Sequence, residues 1–207
     1  MEPLSGIVLA GGASRRLGAD KTTLRFGSRT LLEHAVDALS AVCTDVLVAG
    51  GERDAAAWSL LGARLVPDES RGRGPLAGLQ AGLKAAELDF ALVVACDLPF
   101  LNRDLLEFMA WRPRRYQALV PRWGRRLHPL HAIYARSCLP VVESLLTRPS
   151  ASMRELLARL EIETLAETAI QRFDPEGLSF FNINGPDDLE RSRAIWEELF
   201  DGVATGR

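Results

Sequence analysis

This sequence has no long hydrophobic run and only three cysteines. Each of these features excludes some classes of protein. No apolar run approaches the ~20 residues that a membrane-spanning helix needs. A strand is predicted within the first few residues, which leaves no room for a secretory signal peptide. Cys43, Cys96 and Cys138 are odd in number and lack the spacing of metal ligands. They predict free thiols in a reducing compartment, and hence a cytoplasmic protein with no membrane partner.

A strong excess of charge is also missing. The formal net charge of −2 gives no general attraction to nucleic acid or to anionic membranes. Among the 25 cationic residues, only Lys21 and Lys84 are lysines. A lysine inside a ligand-binding loop is therefore informative, because its flexible ammonium can follow a phosphate as a point charge better than a planar guanidinium can.

Length and composition indicate one globular domain. The chain has 207 residues, of which 47% are apolar and 25% are charged, as in ordinary folded proteins. That length suffices to bury a full core. We expect a single domain over residues 1–200 and a frayed tail at residues 201–207.

The first half of the chain alternates between strand and helix patterns. Strands are predicted at residues 6–10, 46–49, 63–66 and 90–95, and helices at residues 55–61, 76–86 and 103–111. This alternation predicts an α/β fold with a single doubly wound, mostly parallel sheet. Two further strands, at residues 118–120 and 130–134, predict an antiparallel excursion in the C-terminal half.

The remaining elements are predicted from weaker patterns. Ser150 is a candidate cap for a helix at residues 153–160. Strands are expected at residues 162–165 and 178–181, and a closing helix at residues 186–200. Pro186 suits the first turn of that helix.

Residues 7–21 form the most distinctive segment, with an apolar strand that runs into a small, cationic loop. Gly11 and Gly12 permit a sharp turn and remove side chains that would block a ligand. Backbone N–H groups there can point at an anion, and Arg16 and Lys21 add positive charge. The spacing matches neither the Walker A loop nor the dinucleotide fingerprint. The segment predicts a phosphate-binding loop, with an ordinary strand–helix turn as the alternative.

Two aspartates follow predicted strands at the edge where ligands bind in open α/β sheets. Asp97 follows the wholly apolar strand at residues 90–95, which suits a Mg²⁺ ligand, although a helix cap near Pro99 is the simpler use. Asp68 follows the strand at residues 63–66. It either starts a turn or accepts hydrogen bonds from a purine edge. The sequence alone supports these two roles equally.

Three other features have both structural and functional interpretations. His128 and His131 flank Pro129, and hydrogen bonding within a hairpin is favoured over a metal pair because no third ligand is evident. Residues 111–126 contain six arginines, three aromatic side chains and no acid. A solvated basic face explains this composition, but single-stranded nucleic acid or a phosphorylated molecule with a stackable ring would also suit it.

Two amides near the C-terminus alternate along an extended segment. Asn182 and Asn184 are separated by one residue, so both side chains should face the same side. They suit turn formation before Pro186, and they equally suit a polar heterocycle or a phosphate.

Together these segments resemble the molybdenum cofactor guanylyltransferases (MobA-like), within the sugar-type nucleotidyltransferases. The resemblance extends over most of the chain and rests on residues 9–21, 67–68, 72–78, 96–101, 128–131 and 181–189. It implies a Rossmann-like nucleotidyltransferase fold. It also implies transfer of GMP from GTP to the terminal phosphate of molybdopterin, with Mg²⁺ as cofactor and pyrophosphate as product. It further implies cofactor-delivery proteins or apo-molybdoenzymes as partners. It implies no binding to nucleic acid.

The resemblance also implies roles for individual residues. The implied nucleotide-binding residues are Leu9, Ala10, Gly11, Gly12, Lys21, Asp68 and Asp97, with Asp68 on the guanine. The implied catalytic residues are Arg16, Lys21 and Asp97, with Asp97 as the metal ligand. Asn182 and Asn184 would face the acceptor.

Two alternatives to this assignment stay open. One keeps the chemistry and changes the substrates, to CTP with molybdopterin or to another phosphorylated small molecule as acceptor. The other is a nucleotide-binding regulator without catalysis. The regulator would be expected to have lost the metal carboxylate or the loop cation, and both Asp97 and Lys21 are present.

Overall fold

A computed structural model describes residues 2–11, 21–50, 62–67, 73–148 and 150–201. The helix predicted at residues 55–61 and all but the first residue of the predicted frayed tail lie outside these ranges. Ten strands are described: β1 (Ser5–Leu9), β2 (Arg25–Phe26), β3 (Arg29–Thr30), β4 (Asp45–Ala49), β5 (Arg64–Val66), β6 (Phe90–Ala95), β7 (Ala118–Trp123), β8 (Arg126–Leu127), β9 (His131–Ala135) and β10 (Ile162–Leu165).

Seven α-helices are described around these strands. They are α1 (Leu31–Ser40), α2 (Pro75–Ala85), α3 (Arg103–Ala110), α4 (Leu139–Leu146), α5 (Met153–Leu157), α6 (Glu167–Ile170) and α7 (Pro186–Trp196). Short 3₁₀ segments lie at Lys21–Thr23, Arg136–Cys138 and Leu178–Phe180, and a π-helical turn at Glu197–Asp201 follows α7. No helix within the described ranges is both long enough and apolar enough to span a bilayer.

Eight strands form the main sheet, in the order β10-β7-β9-β6-β1-β4-β5, with β8 paired to β7. Strand β1 is central and runs parallel to β4 and to β6, and β5 extends the parallel part beyond β4. Strand β9 runs antiparallel to both of its neighbours, β6 and β7. The predicted fold class, a mostly parallel sheet with an antiparallel excursion in the C-terminal half, is therefore confirmed.

The sheet is covered on both faces, as its unbroken apolar strands require. Alternate residues of β1 enter opposite cores, with Val8 in one and Ile7 in the other. Helices α1 and α3 pack on the Val8 face, whereas α2, α4 and α5 pack on the Ile7 face. Helix α2 approaches closely, since a Cβ on Gly82 would lie 2.7 Å from the Ile7 side chain.

Thr30 caps the N-terminus of α1. Its hydroxyl accepts a hydrogen bond from the Glu33 N–H (3.2 Å), and the Glu33 carboxylate accepts one from the Thr30 N–H (2.5 Å). This capping box satisfies two backbone donors that the helix leaves open. The hydrogen bond from the Thr30 backbone also holds the pKa of Glu33 below its usual value.

Three predictions in the C-terminal third are wrong. Residues 178–181 do not form a strand but begin with the 3₁₀ turn Leu178–Phe180, because the buried Asp174 carboxylate accepts the N–H groups of Leu178 (2.9 Å) and Ser179 (2.8 Å). Ser152, not Ser150, caps α5, and it forms a capping box with Glu155. That helix ends at Leu157 instead of residue 160.

Candidate active site

The strand order creates a crevice at the carboxyl ends of β1 and β6. The chain passes from β1 to β4 on one side and later returns to β6 on the other side of β1, and ligands of open α/β sheets bind where strand order reverses in this way. The carbonyl of Leu9 accepts the N–H of Cys96 (3.1 Å), and Ala10 donates its N–H to Ala49 (2.9 Å). Beyond them, Gly11 is exposed at the crevice. The side chain of Leu9 is buried, so only backbone near it can meet a ligand.

The ends of β1 and β4 touch backbone to backbone. Gly50 has a φ of 93°, and its N–H donates to the carbonyl of Val66 (3.2 Å). A Cβ on Gly50 would lie 2.8 Å from the nitrogen of Gly11, a separation that real Cβ atoms essentially never show. Glycine is therefore required at residue 50 both by its conformation and by the close approach of Gly11.

Lys21 and Asp97 form an ion pair across the crevice. Lys21 opens the 3₁₀ turn Lys21–Thr23, and its Nζ lies 2.7 Å from Oδ2 of Asp97. The two side chains are only 19% and 16% exposed. The other carboxylate oxygen, Oδ1, is buried and has no hydrogen-bond partner among the residues that the structure describes. A buried carboxylate oxygen without a partner is costly unless a ligand or ion completes it.

The segment that contains the two predicted amides lies directly beside Asp97. The N–H of Ile183 donates to the backbone carbonyl of Asp97 (3.1 Å). Ile183 is buried, whereas Asn182 and Asn184 on either side of it are exposed, which agrees with the predicted common face. Asp188 fixes the following turn by accepting the N–H groups of Asn184 (2.8 Å) and Gly185 (3.2 Å).

The structure thus brings most of the predicted site residues to one edge. Leu9, Ala10, Gly11, Lys21, Asp97, Asn182 and Asn184 all lie at or beside the crevice. Gly12, Arg16 and Asp68 lie outside the described residues. The sequence placed Lys21 and Asp97 on the same rim but gave no signal for their direct ion pair.

His128 and His131 do not form a metal site with a third ligand in the described parts of the chain. Their backbones are joined by a hydrogen bond from the His131 N–H to the His128 carbonyl (3.1 Å). The predicted hydrogen bonding within the hairpin therefore holds for the backbone, whereas Nε2 of His128 and both ring nitrogens of His131 have no partner among the described residues. Both rings pack on Phe180, with centroid distances of 4.3 Å and 5.1 Å. Burial lowers the pKa of each imidazole to about 4, so both rings are neutral at pH 7.

Two of the three cysteines, Cys43 and Cys138, offer no nucleophile. All three lie in described segments, and none forms a disulfide. Burial raises the pKa of Cys138 to about 11 and that of Cys43 to about 12. Such thiols stay protonated at neutral pH and are inert.

Comparison with known proteins identifies similar sequences over almost the whole chain. A family model described as the MobA-like NTP transferase domain matches residues 6–180. A protein of Chloroflexus aggregans, named a probable molybdenum cofactor guanylyltransferase, is 38% identical over 92% of this chain and 94% of its own. A Desulfosudis oleivorans protein, named molybdenum cofactor guanylyltransferase, is 34% identical over 94% and 96%.

A solved structure has a similar fold. The crystal structure of molybdopterin-guanine dinucleotide biosynthesis protein A from Archaeoglobus fulgidus superposes with a TM-score of 0.82. The two sequences are 29% identical, and the match covers 95% of this chain and 100% of that one.

Proposed function

This chain belongs to the family of MobA-like NTP transferase domains, and from that premise we propose that it transfers GMP from GTP to the terminal phosphate of molybdopterin, releasing pyrophosphate. The family makes the chain an enzyme of the nucleotidyltransferase kind. The observation that best supports the proposed substrates is the paired Lys21 and Asp97 in the crevice between β1 and β6. Lys21 supplies a cation that can bind phosphate, and Asp97 supplies a carboxylate oxygen that has no hydrogen-bond partner in the described residues. Both lie beside the exposed backbone of Gly11.

The proposed reaction needs little acid–base chemistry from the protein. The acceptor is a phosphate that is already ionised, so no strong base is required to generate the nucleophile. Alignment of the two phosphates and neutralisation of their charge can supply most of the rate enhancement. This agrees with the pKa of about 4 that burial gives both His128 and His131, since an imidazole with so low a pKa is a weak base.

Asp97 fits a magnesium ligand. Mg²⁺ typically takes one or two carboxylates together with substrate phosphates, and Oδ1 of Asp97 is a buried acceptor without a partner in the described segments. The bound ion would offset charge on the triphosphate oxygens. Lys21, which neutralises Oδ2 in this structure, would hold the phosphates from the same side and stabilise the charge of the departing pyrophosphate.

The remaining residues of the proposed site have supporting roles. Leu9, Ala10, Gly11 and Gly12 would form the nucleotide-binding turn, in which the buried side chain of Leu9 anchors the strand end. Arg16 would bind the triphosphate with Lys21, and Asp68 would accept the N–H donors of guanine. Asn182 and Asn184 would contact the acceptor from the segment bonded to Asp97. The reaction would take place in the cytoplasm.

The decisive experiment measures pyrophosphate release with molybdopterin, Mg²⁺ and each of GTP, CTP, ATP and UTP in turn. We expect release with GTP alone, and loss of that release in Asp97→Ala with the melting temperature retained. Release with CTP instead would identify the cytidylyl alternative. Protection of the chain by GTP against thermal unfolding, with no release from any nucleotide, would identify a binding regulator.

A further inference from the structure

A third hydrophobic cluster lies apart from the two cores that cover the sheet. Its buried members, Phe26, Leu31 and Ile183, are each at most 2% exposed. Partly buried side chains that pack against them are Leu24, Phe181, Leu189 and Trp196. These residues come from the chain around β2 and α1, from the segment that bonds Asp97, and from α7. The cluster therefore joins parts of the molecule that are distant in the sequence.

One part that the cluster holds is the short hairpin that follows Lys21. The Leu24 N–H donates to the Lys21 carbonyl (3.2 Å), and the Leu31 N–H donates to the Leu24 carbonyl (2.8 Å). Between them, the two-residue strands β2 and β3 form a hairpin that carries the buried Phe26. So small a hairpin is not stable by itself, and it depends on packing elsewhere. Its position determines where the Lys21 side chain starts.

The chain around Asp97 has firmer support, because it directly follows the central strand β6. The Cys96 N–H donates to the carbonyl of Leu9 (3.1 Å), and the Asp97 carbonyl accepts the N–H of Ile183 (3.1 Å). Phe100, three residues further on, is buried and lies edge-on to Phe181 with 6.0 Å between the ring centroids. The sheet and the segment at residues 181–183 thus fix this side of the crevice.

Trp196, at the end of α7, contacts both the hairpin and the chain after Asp97. Its ring lies edge-on to Phe26, with 5.6 Å between centroids, and stacks on Phe100 at 6.3 Å. It also covers the hairpin turn, where a Cβ on Gly27 would lie 3.5 Å from the indole Nε1. Aromatic pairs at such separations are favourable beyond the apolar area that they bury. Trp196 therefore attaches the weakly supported hairpin to the firmly held side of the crevice.

A polar link between the same two sides is weaker. The Asp37 carboxylate of α1 accepts hydrogen bonds from Arg29 of β3 (2.6 Å) and from Arg103 of α3. All three side chains are at least 41% exposed. Ion pairs with this much exposure contribute little, because water and salt screen them. The alignment of the hairpin with the Asp97 segment therefore depends mainly on the apolar contacts of the cluster.

We propose that Trp196 is a positioning residue for nucleotidyl transfer, which acts by holding Lys21 against Asp97. This inference rests on the proposed function, in which both residues act on the phosphates. Nζ of Lys21 lies 2.7 Å from Oδ2 of Asp97, and the hairpin that Trp196 anchors sets that separation. A displacement of about 1 Å at a reacting centre can cost a hundredfold in rate. Trp196 itself would contact neither the nucleotide nor the acceptor.

The test is a double-mutant cycle with Trp196→Ala and Lys21→Ala, assayed below the lowest melting temperature of the set. We expect Trp196→Ala to lower kcat about tenfold to a hundredfold and to change the KM for GTP less than about threefold. In the Lys21→Ala background, Trp196→Ala should lower kcat no further, since the group through which it acts is missing. If Trp196→Ala is unfolded at the assay temperature, Trp196→Leu, which keeps apolar bulk, replaces it in the cycle.

Trp111→Ala is the matched control for loss of an indole. Trp111 also lies at the end of a helix, but it is 60% exposed and donates only a long hydrogen bond to Glu107 (3.4 Å). We expect this variant to retain the kcat and the KM of the wild type. A kcat for Trp196→Ala within twofold of this control would overturn the inference. Equal losses of kcat in the two Lys21 backgrounds would also overturn it, because they would show a general structural effect.

A second measurement separates this inference from the proposed function. If the wild type releases no pyrophosphate with any nucleotide, the proposed function fails, and the same four proteins are compared by urea unfolding. Lys21→Ala should then shift the urea midpoint in the wild-type background and shift it much less in the Trp196→Ala background, where the ion pair is already lost. Equal shifts in the two backgrounds would show that Trp196 does not position Lys21.

Discussion

Replacing Gly50 by alanine should both destabilise the fold and weaken nucleotide binding. Gly50 ends β4 with a φ of 93°, a conformation that disfavours any residue with a Cβ. The added methyl group would also lie 2.8 Å from the nitrogen and 2.9 Å from the Cα of Gly11. Neither neighbour is a flexible side chain, so the two strand ends must separate. The proposed phosphate-binding turn begins at Gly11 and would move with it.

The magnitude follows from three contributions. A positive φ costs a non-glycine residue about 1–2 kcal/mol. Separating the strand ends weakens the hydrogen bond from Ala10 to Ala49, now 2.9 Å, at a further cost of about 1 kcal/mol. The unfolded chain of the alanine variant has less conformational entropy, which offsets roughly 0.4–1 kcal/mol of this destabilisation. We expect a net loss of about 2 kcal/mol in the free energy of unfolding.

Gly62→Ala is the matched control for this measurement. Gly62 also has a positive φ, 70°, but a Cβ there would meet no described atom within 4 Å. Urea unfolding of both variants separates the conformational cost, which they share, from the contact cost, which only Gly50→Ala has. Thermal protection by GTP should fall in Gly50→Ala and persist in Gly62→Ala. Equal stability and equal GTP protection in the two variants would refute the close approach as a requirement of the site.

Three further predictions follow from the geometry. Lys21→Ala should lower kcat more than it raises the KM for GTP, because its charge acts on the departing pyrophosphate; steady-state kinetics that show the reverse would assign Lys21 to ground-state binding. His131 by itself should lower the free energy of unfolding by up to about 3 kcal/mol between pH 7 and pH 4, because in the unfolded chain it gains a proton near its usual pKa whereas the buried ring, with a pKa of about 4, resists protonation. Urea titrations of His131→Leu should lack that part of the pH dependence, and an unchanged slope would exclude His131 as its source. Gly177→Ala should destabilise the chain by more than 1 kcal/mol, since its Cβ would overlap Trp123, whereas Gly185→Ala, with nothing within 4 Å in the described structure, should cost less than half as much in the same assay.

The fold was predictable because its strands are unbroken apolar runs. Residues 90–95 are all apolar, and β6 occupies those residues without an offset. The alternation of strands and helices then determined a parallel sheet, since parallel neighbours need crossover connections. Short or mixed segments were less informative. The two-residue strand β8 leaves too few positions for an alternating pattern, and no strand is predicted from the sequence at those residues.

The errors arose where one side chain overrides local propensity. Residues 178–181 contain two phenylalanines, which favour a strand, but the carboxylate of Asp174 captures two backbone N–H groups and closes a turn. The position of the site was predictable from the rule that ligands bind at carboxyl strand ends. The ion pair of Lys21 with Asp97 was not, because it joins residues 76 positions apart in the sequence.

The hydrogen bond from Ile183 to Asp97 can form only late in the synthesis of the chain, after the strands of the sheet have been made. The family match ends at residue 180, yet the backbone of Asp97 is held by a residue beyond it. A nascent chain can form the sheet from its earlier strands, because domains begin to fold from their N-terminal parts during translation. It cannot form the hydrogen bond to the Asp97 carbonyl until residue 183 has left the ribosome. A partly synthesised enzyme would therefore have a nearly complete scaffold without a finished catalytic edge.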